Sequence, residues 1–404
     1  MSSHNLYTVF TTVMTVVIVV FFCLLFINPT GTQLNVFFLK TNDFFADFFN
    51  PMIYVADNDV YHNTLNGLHH KIYFPLTYMM FSLFSGFMDY SGLTLQDTYS
   101  SHPAMVSCLL FTVFSVFLFI HSLGRLVRLD AKLIAIILCS SVFLFTVERG
   151  NPIFIAAALA VYFLAYKDSE SRRTRILALT ALCVAVVLKG YPVVLGLYLL
   201  RDRQFKAIGY CIVVTLLLAF LPFLYFKGGF DNIPQFISNV QEHNRLFDHA
   251  IYPRFGLTVF NSCLIDVLHA YGEEYRSLGF TLTRGIVVLM ALASMVLFFF
   301  QRTPWKRIML LMAIVAYVPS DNGFYCGIYF LPALLLFLRD EVPSKRNYVY
   351  LALFILLLNP IQVTSGGHAL TWLISNAAIF VMWAMLISET LSTARSLKAN
   401  ITTK

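Results

Sequence analysis

The stretch AVVLKGYPVVLG, residues 185–196, decides how this chain is read. It lies inside an apolar run from Ile176 to Leu200 whose one charge is Lys189. A lysine at the centre of a membrane helix costs about 2.5–3.5 kcal/mol on the mildest scale, so such a charge marks function by default. Glycine and proline beside it break the helix, which is tolerated at membrane depth where the backbone faces protein or a wet cavity. With about 13 residues per limb, a hairpin turning at 189–192 reaches about 20 Å, short of a hydrocarbon core of about 30 Å. The expectation is a hairpin that dips into the membrane and holds Lys189 at the floor of a cavity.

The rest of the sequence supports a membrane setting. Of 404 residues, 58% are hydrophobic and 12% charged, with a mean hydropathy of +0.73. A soluble domain of this length could not cover its surface with so few charges. Apolar stretches of about 20 residues recur from end to end, which predicts an all-α, polytopic membrane protein built of helical hairpins. Tyr7–Ile27 is too long for a signal-peptide core and lacks a basic leader, so it reads as a retained first helix. The seven cysteines are scattered, with no CxxC pair, and suggest neither a zinc site nor a disulfide framework. P-loop, GxGxxG, HExxH and GxSxG patterns are absent from the sequence.

Charge gives the orientation. Six short clusters, at 125–132, 167–175, 201–206, 302–307, 339–346 and 395–404, hold 19 of the 28 Lys and Arg residues. The positive-inside rule assigns all six, and both termini, to the cytoplasm. The net charge of +7 then reflects topology, and nucleic acid is not an expected partner. Hairpins are expected to turn at 148–152, 189–192, 319–323 and 359–368. Residues 28–102 form the largest extracytoplasmic loop and 227–276 a second one, within a single membrane domain spanning 1–404.

The outward tips carry Glu148, Arg149, Asn151, Lys189, Tyr191, Asp321, Asn322, Tyr325 and His368. The first loop contains DFFADFF from Asp43, so Asp43 and Asp47 share one face if helical, backed by Phe44, Phe45, Phe48 and Phe49. Carboxylates beside apolar rings can have raised pKa values, which suits general-base work. The competing reading is an interfacial helix with ordinary solvated carboxylates. Arg149 and Lys189 are candidates to hold a phosphate, the first by a forked contact and the second as a point charge. Glu148 beside Arg149 could instead be a local ion pair.

At these residues the sequence resembles glycosyltransferase family 87, membrane enzymes of the GT-C fold that use polyprenyl-phosphate sugars. The matching features, in order, are the Asp-Phe pair after helix 1, YFP at 73–75, Arg149-Gly150-Asn151, and Lys189 to Pro192. The likeness is good over about residues 1–230 and weaker beyond. Two departures stand out: Phe74 occupies the place of a proline in the aromatic motif, and two Asp-Phe pairs compete for the base.

The resemblance implies an inverting hexosyltransferase of the bacterial inner membrane, with its active site on the extracytoplasmic side. The implied donor is a polyprenyl-phosphate hexose, with mannose first in line, and the acceptor a lipid or glycan. No metal or other cofactor is required. Asp47, or failing that Asp43, would be the base, and Arg149 and Lys189 would bind the donor phosphate. Glu148, Asn151, Tyr191 and His368 would orient sugar or acceptor. The rivals are a transporter or flippase of an anionic lipid-linked sugar, which needs no base, and a polymerase or ligase of lipid-linked glycans.

Overall fold

The computed structural model describes residues 4–27, 33, 43–65, 67–85, 88–247, 254–257, 259–260, 273–319, 322–365 and 368–402. In chain order the helices are α1 (His4–Ile27), α2 (Ala46–Ala56), α3 (Pro75–Ser85), α4 (Leu95–Ser100), α5 (His102–Leu126), α6 (Ala131–Leu138), α7 (Ser141–Arg149), α8 (Ile153–Tyr166) and α9 (Arg172–Lys189). They continue with α10 (Gly196–Arg201), α11 (Phe205–Phe220), α12 (Asn232–Phe247), α13 (Glu273–Phe300), α14 (Pro304–Tyr317), α15 (Leu331–Asp340), α16 (Lys345–Leu358) and α17 (Thr371–Thr402). Among the described residues the β-structure is one antiparallel ladder of two-residue strands, β1 (Thr364–Ser365) and β2 (His368–Ala369), at the turn between α16 and α17. An isolated bridge joins Arg254 to Gly323.

Five of these helical stretches are long and apolar enough to cross a membrane: 5–27, 102–126, 205–225, 278–300 and 371–393. The pair α6 and α7, bent by 59°, makes a sixth if it counts as one span. The chain is therefore an all-α multi-pass membrane protein, as its hydropathy predicts. Among the described residues between 28 and 102, no helix has that length.

The chain divides into two compact units. One comprises 37–129 and 145–247, the other 1–36, 130–144 and 248–404. The first unit is built on α8, apolar on every side and buried along nearly its whole length, as expected of a central helix. It packs between α5 and α9, and α9 in turn packs on α11. The flanks of α5 and α11 expose Val113, Phe117, Val213 and Leu216, which suits a hydrocarbon solvent. A phenylalanine cluster closes one end of this unit: Phe48 and Phe49 of α2 pack with Phe81 and Phe111. Their ring centroids lie 5.8 Å (Phe48–Phe81) and 5.1 Å (Phe48–Phe111) apart. A second aromatic cluster gathers Tyr54, Tyr61, Tyr78, Phe223 and Phe226. In the other unit Trp305 and Trp383 are fully buried, and Glu389 accepts from Lys306, Arg346 and Tyr350.

Breaks fall where the sequence supplies breakers. Gly190 ends α9 with φ of +40°, and Pro192 follows in a 3-10 turn over Tyr191–Leu195. The first limb of this hairpin is longer than the apolar run suggests. It reaches back to Arg172, with the Ser171 hydroxyl accepting from the Thr174 amide as N-cap. Its 18 residues span about 27 Å. The end of the basic turn, Arg172–Arg175, is itself helical, because arginine is a good helix former and hydropathy does not register propensity.

Candidate active site

The first half of the site is the DFFADFF segment. Phe45 adopts a left-handed conformation, φ 56°, ahead of α2. For a bulky side chain this costs energy that surrounding contacts must offset. Contacts with Glu148 and Tyr99 help to hold it. Its amide donates to the Glu148 carbonyl at 2.6 Å, and the neighbouring Phe44 stacks on Tyr99 at 4.8 Å, whose hydroxyl donates to the Phe44 carbonyl at 2.8 Å.

The second half is the ERGN turn between α7 and α8. Gly150 has φ +62°, and a Cβ there would fall 2.9 Å from Cβ of Phe48. Glycine is required twice over, for its backbone conformation and for the close approach of α2. This approach brings the charges together. Arg149 donates through Nη1 to Asp43 Oδ2 at 2.9 Å and through Nη2 to Asp47 Oδ1 at 2.6 Å. Asn151 donates through Nδ2 to the other oxygen, Asp47 Oδ2, at 2.6 Å. Its own Oδ1 accepts from the Ile153 amide at 3.0 Å, which fixes the amide orientation.

Asp47 is the better enclosed of the two carboxylates, with its side chain 20% exposed against 42% for Asp43. Burial pushes the Asp47 carboxyl up, as its phenylalanine neighbours lead one to expect. The Arg149 charge, hydrogen bonds from Arg149 and Asn151, and the charge of Lys189 together outweigh burial and bring it below the usual carboxylate range. Asp47 is thus an ionised acceptor at neutral pH. The raised pKa suggested by the apolar neighbours is corrected by the cation that the fold delivers.

Lys189 joins from the end of α9. Its Nζ lies 3.4 Å from the Tyr73 hydroxyl, 4.8 Å from the Tyr73 ring centre and 5.9 Å from that of Tyr191. Cation–π contact of this kind holds an ammonium without neutralising it. Glu148 is buried, and neither carboxylate oxygen has a hydrogen-bond partner among the described residues. Arg149 reaches for the two aspartates, so the local Glu148–Arg149 ion pair is not the arrangement seen.

One compact unit therefore brings together Asp43, Asp47, Arg149, Asn151, Lys189 and Tyr191. Glu148 lies in the same unit, and the remaining candidates belong to the other one. His368 lies on β2 and its side chain is outside the described residues, as is Asp321. Asn322 is buried and donates to the carbonyls of Val315 and Ala316, an internal role at the end of α14. Among the described residues, no group of three or more His, Cys, Asp or Glu side chains is arranged to hold a metal ion.

Two further residues, from the run His69-His70-Lys71, were not singled out from the sequence, because nothing in that run follows a site pattern. His70 lies in the field of Asp47, although burial above all, and then the neighbouring His69, His243 and Lys71, push its imidazole down to about 4. Lys71 is fully buried. Its Nζ donates to the carbonyls of Asn63 and Gly67 at 2.9 Å each, and also to that of Leu65, and it lies 4.6 Å from the Tyr54 ring centre. Burial pushes this amine down to about 8.

Residues 72–320, more than half of the chain, match the model of glycosyltransferase family 87. The chain belongs to glycosyltransferase family 87. No curated protein and no solved structure matches it. Membership of family 87 makes this chain a membrane glycosyltransferase, with a sugar donor and an acceptor as its substrates. The family match covers Tyr73, Arg149, Asn151, Lys189 and Tyr191 but begins after Asp43 and Asp47. The salt bridges to Arg149 attach those carboxylates to the matched region.

Proposed function

We propose that this family 87 enzyme transfers a hexose, mannose first in line, from a polyprenyl-phosphate donor to a lipid or glycan acceptor. The reaction takes place on the extracytoplasmic side of a bacterial inner membrane, with both termini in the cytoplasm. The chain works as one membrane-embedded catalytic domain over 1–404, with residues 28–102 and 227–276 facing outward. The observation that carries this reading is the pairing of an ionised, doubly held Asp47 with the Lys189 ammonium at the same end of one unit. A base for the acceptor and a cation for the leaving phosphate are the two parts that the chemistry needs.

Transfer is a single displacement. The acceptor hydroxyl gives its proton to Asp47 as its oxygen bonds to the anomeric carbon. The bond from that carbon to the phosphate oxygen breaks, its electron pair stays on the phosphate, and the sugar inverts. A carboxylate of depressed pKa is a weak base. It suits a transition state in which bond breaking runs ahead and the attacking hydroxyl has become acidic. Because both Arg149 amino groups are engaged by carboxylates, Lys189 is the leading phosphate ligand, and Arg149 contributes its charge while fixing the base. Asp43 is the alternative base, while Glu148, Asn151 and Tyr191 orient the substrates.

A groove of about 450 Å³ between α9, α10 and α11, lined by Leu182, Val186, Val193, Leu197, Ile208 and Ile212, flanks the turn that carries Lys189. Its walls suit an isoprenoid chain, whose phosphate would end at that lysine. The deciding experiment incubates purified protein with a panel of polyprenyl-phosphate sugars and follows release of polyprenyl phosphate. Turnover with a hexose donor is expected. If no donor in the panel is consumed while the protein is correctly inserted, the donor class is wrong.

A further inference from the structure

Helix α2 begins beside Asp47 and ends at a cavity of about 630 Å³ in the same unit. Its polar lining includes Asp57, His62, Asn63 and Ser91, and its apolar lining Ile53 and Leu65. Asp57 is the residue on which α2 ends. It lies ten positions beyond Asp47 along the helix, a rise of about 15 Å, so the cavity is distinct from the reacting centre yet rigidly tied to it.

One wall is fixed in an unusual way. The buried Lys71 ammonium binds the carbonyls of Asn63, Leu65 and Gly67 at once, holding the loop that contributes Asn63 and Leu65. The floor on the α2 side is set by the Asn63 amide, which donates to the Tyr54 carbonyl at 3.2 Å. Asp57 also accepts the Asp59 amide at 3.2 Å, and Asp59 pairs with His62 at 3.2 Å. A pre-formed wall of this kind lowers the ordering cost of binding.

The chemistry of the lining selects the ligand. Asp59 behind the lining is paired with Lys227 at 3.4 Å, which leaves the Asp57 carboxylate in the lining to disfavour an anion and argues against a phosphate or a second lipid headgroup. Short donors and acceptors set against aliphatic walls suit a neutral polyhydroxylated ring, with its hydroxyls facing Asp57, His62 and Ser91 and its C–H face on Ile53 and Leu65. We propose that this cavity is a distal acceptor subsite that holds a neutral sugar residue of a glycan whose reacting hydroxyl lies at Asp47. This inference rests on the transferase reading above and adds that the acceptor carries more than one sugar.

The test titrates the full-length protein in nanodiscs with methyl hexosides and with linear oligosaccharides of two to four mannose, glucose or galactose units. Binding is followed by saturation-transfer NMR. In at least one series, affinity is expected to rise tenfold or more from the monosaccharide to the longest member. Asp57→Ala and the cavity-filling Ser91→Tyr should each abolish that gain, while inorganic phosphate should not compete. Asp47→Asn should lose transfer but keep the length dependence, so the subsite and the transfer chemistry read out separately. Equal affinity at every length in all series, or a full gain retained in both cavity variants, overturns the subsite. Competition by phosphate overturns its assignment to neutral sugars.

Discussion

Arg149 and Asp47 form a 2.6 Å ion pair across 102 residues of sequence, and the same guanidinium reaches Asp43 at 2.9 Å. One arginine thus serves both Asp-Phe-Phe units, and the two carboxylates differ in what else holds them. Asp47 alone also accepts from Asn151 and is the more enclosed. This asymmetry favours Asp47 as the base.

Replacing Asp47 by asparagine keeps its size and most hydrogen bonding but removes its ability to accept a proton. The expected loss is about 100- to 10,000-fold in turnover, the usual worth of a general base, with little change in donor affinity. Asp43→Asn should lose less. Steady-state transfer assays on both variants decide the assignment. Near wild-type rates in both would remove the base from this loop altogether.

Lys189→Ala should weaken the donor and slow turnover, each through loss of a charged hydrogen bond worth about 1.5–3 kcal/mol, or roughly 10- to 150-fold. Donor titration at saturating acceptor measures it. Unchanged donor kinetics in a properly inserted variant would make Lys189 a structural cation held by Tyr73 and Tyr191.

The pH dependence has a definite sign. Because the Asp47 carboxyl lies below its ordinary value of 3.8, the acid limb of turnover that it controls should lie below that pH. In Arg149→Gln the largest lowering influences are gone while burial remains, so the limb should move to higher pH. The same shift contributes to stability. Asp47 stabilises the fold fully above its unfolded pKa, about 3.9, and this contribution is lost as pH falls through the depressed folded value. A pH–rate profile of the arginine variant that coincides with wild type would remove Asp47 from the acid limb.

Gly150→Ala should destabilise the protein. A left-handed alanine costs about 1–2 kcal/mol, and its Cβ would meet Phe48. The DFF segment must then shift and loosen the Asp47–Arg149 pair, so turnover should fall along with thermal stability. Thermal unfolding together with an activity assay reads both. A variant of wild-type stability and rate would show that α2 yields without consequence.

The orientation is open to cysteine accessibility labelling. Single cysteines in the basic turn at 167–175 should resist membrane-impermeant reagent added to intact cells, and those at the exposed positions Asp57, Asn58 and His62 should react. Modification of the 167–175 turn from outside would reverse the assignment.

The sequence by itself determined the solvent and the fold class. Apolar runs of about 20 residues need no partner to declare a membrane helix, since lipid demands only length and hydrophobicity. The hairpin breaks at ERGNP and KGYP were legible for the same local reason, because glycine and proline act on their own backbone. Lys189 was conspicuous because a charge in an apolar run has a large cost. Tertiary structure alone decided what the charges do. DFFADFF offered two equivalent carboxylates beside phenylalanines, and nothing local told them apart or revealed that Arg149 would pair with both. That followed from Gly150, whose missing Cβ lets Phe48 of α2 approach the ERGN turn. Lys71 shows the same limit: a lone loop lysine in sequence, it becomes a buried tie to three carbonyls only once the loop has closed around it. Hydropathy is a property of each residue, whereas a salt bridge or a pKa depends on distances that close only when remote segments meet.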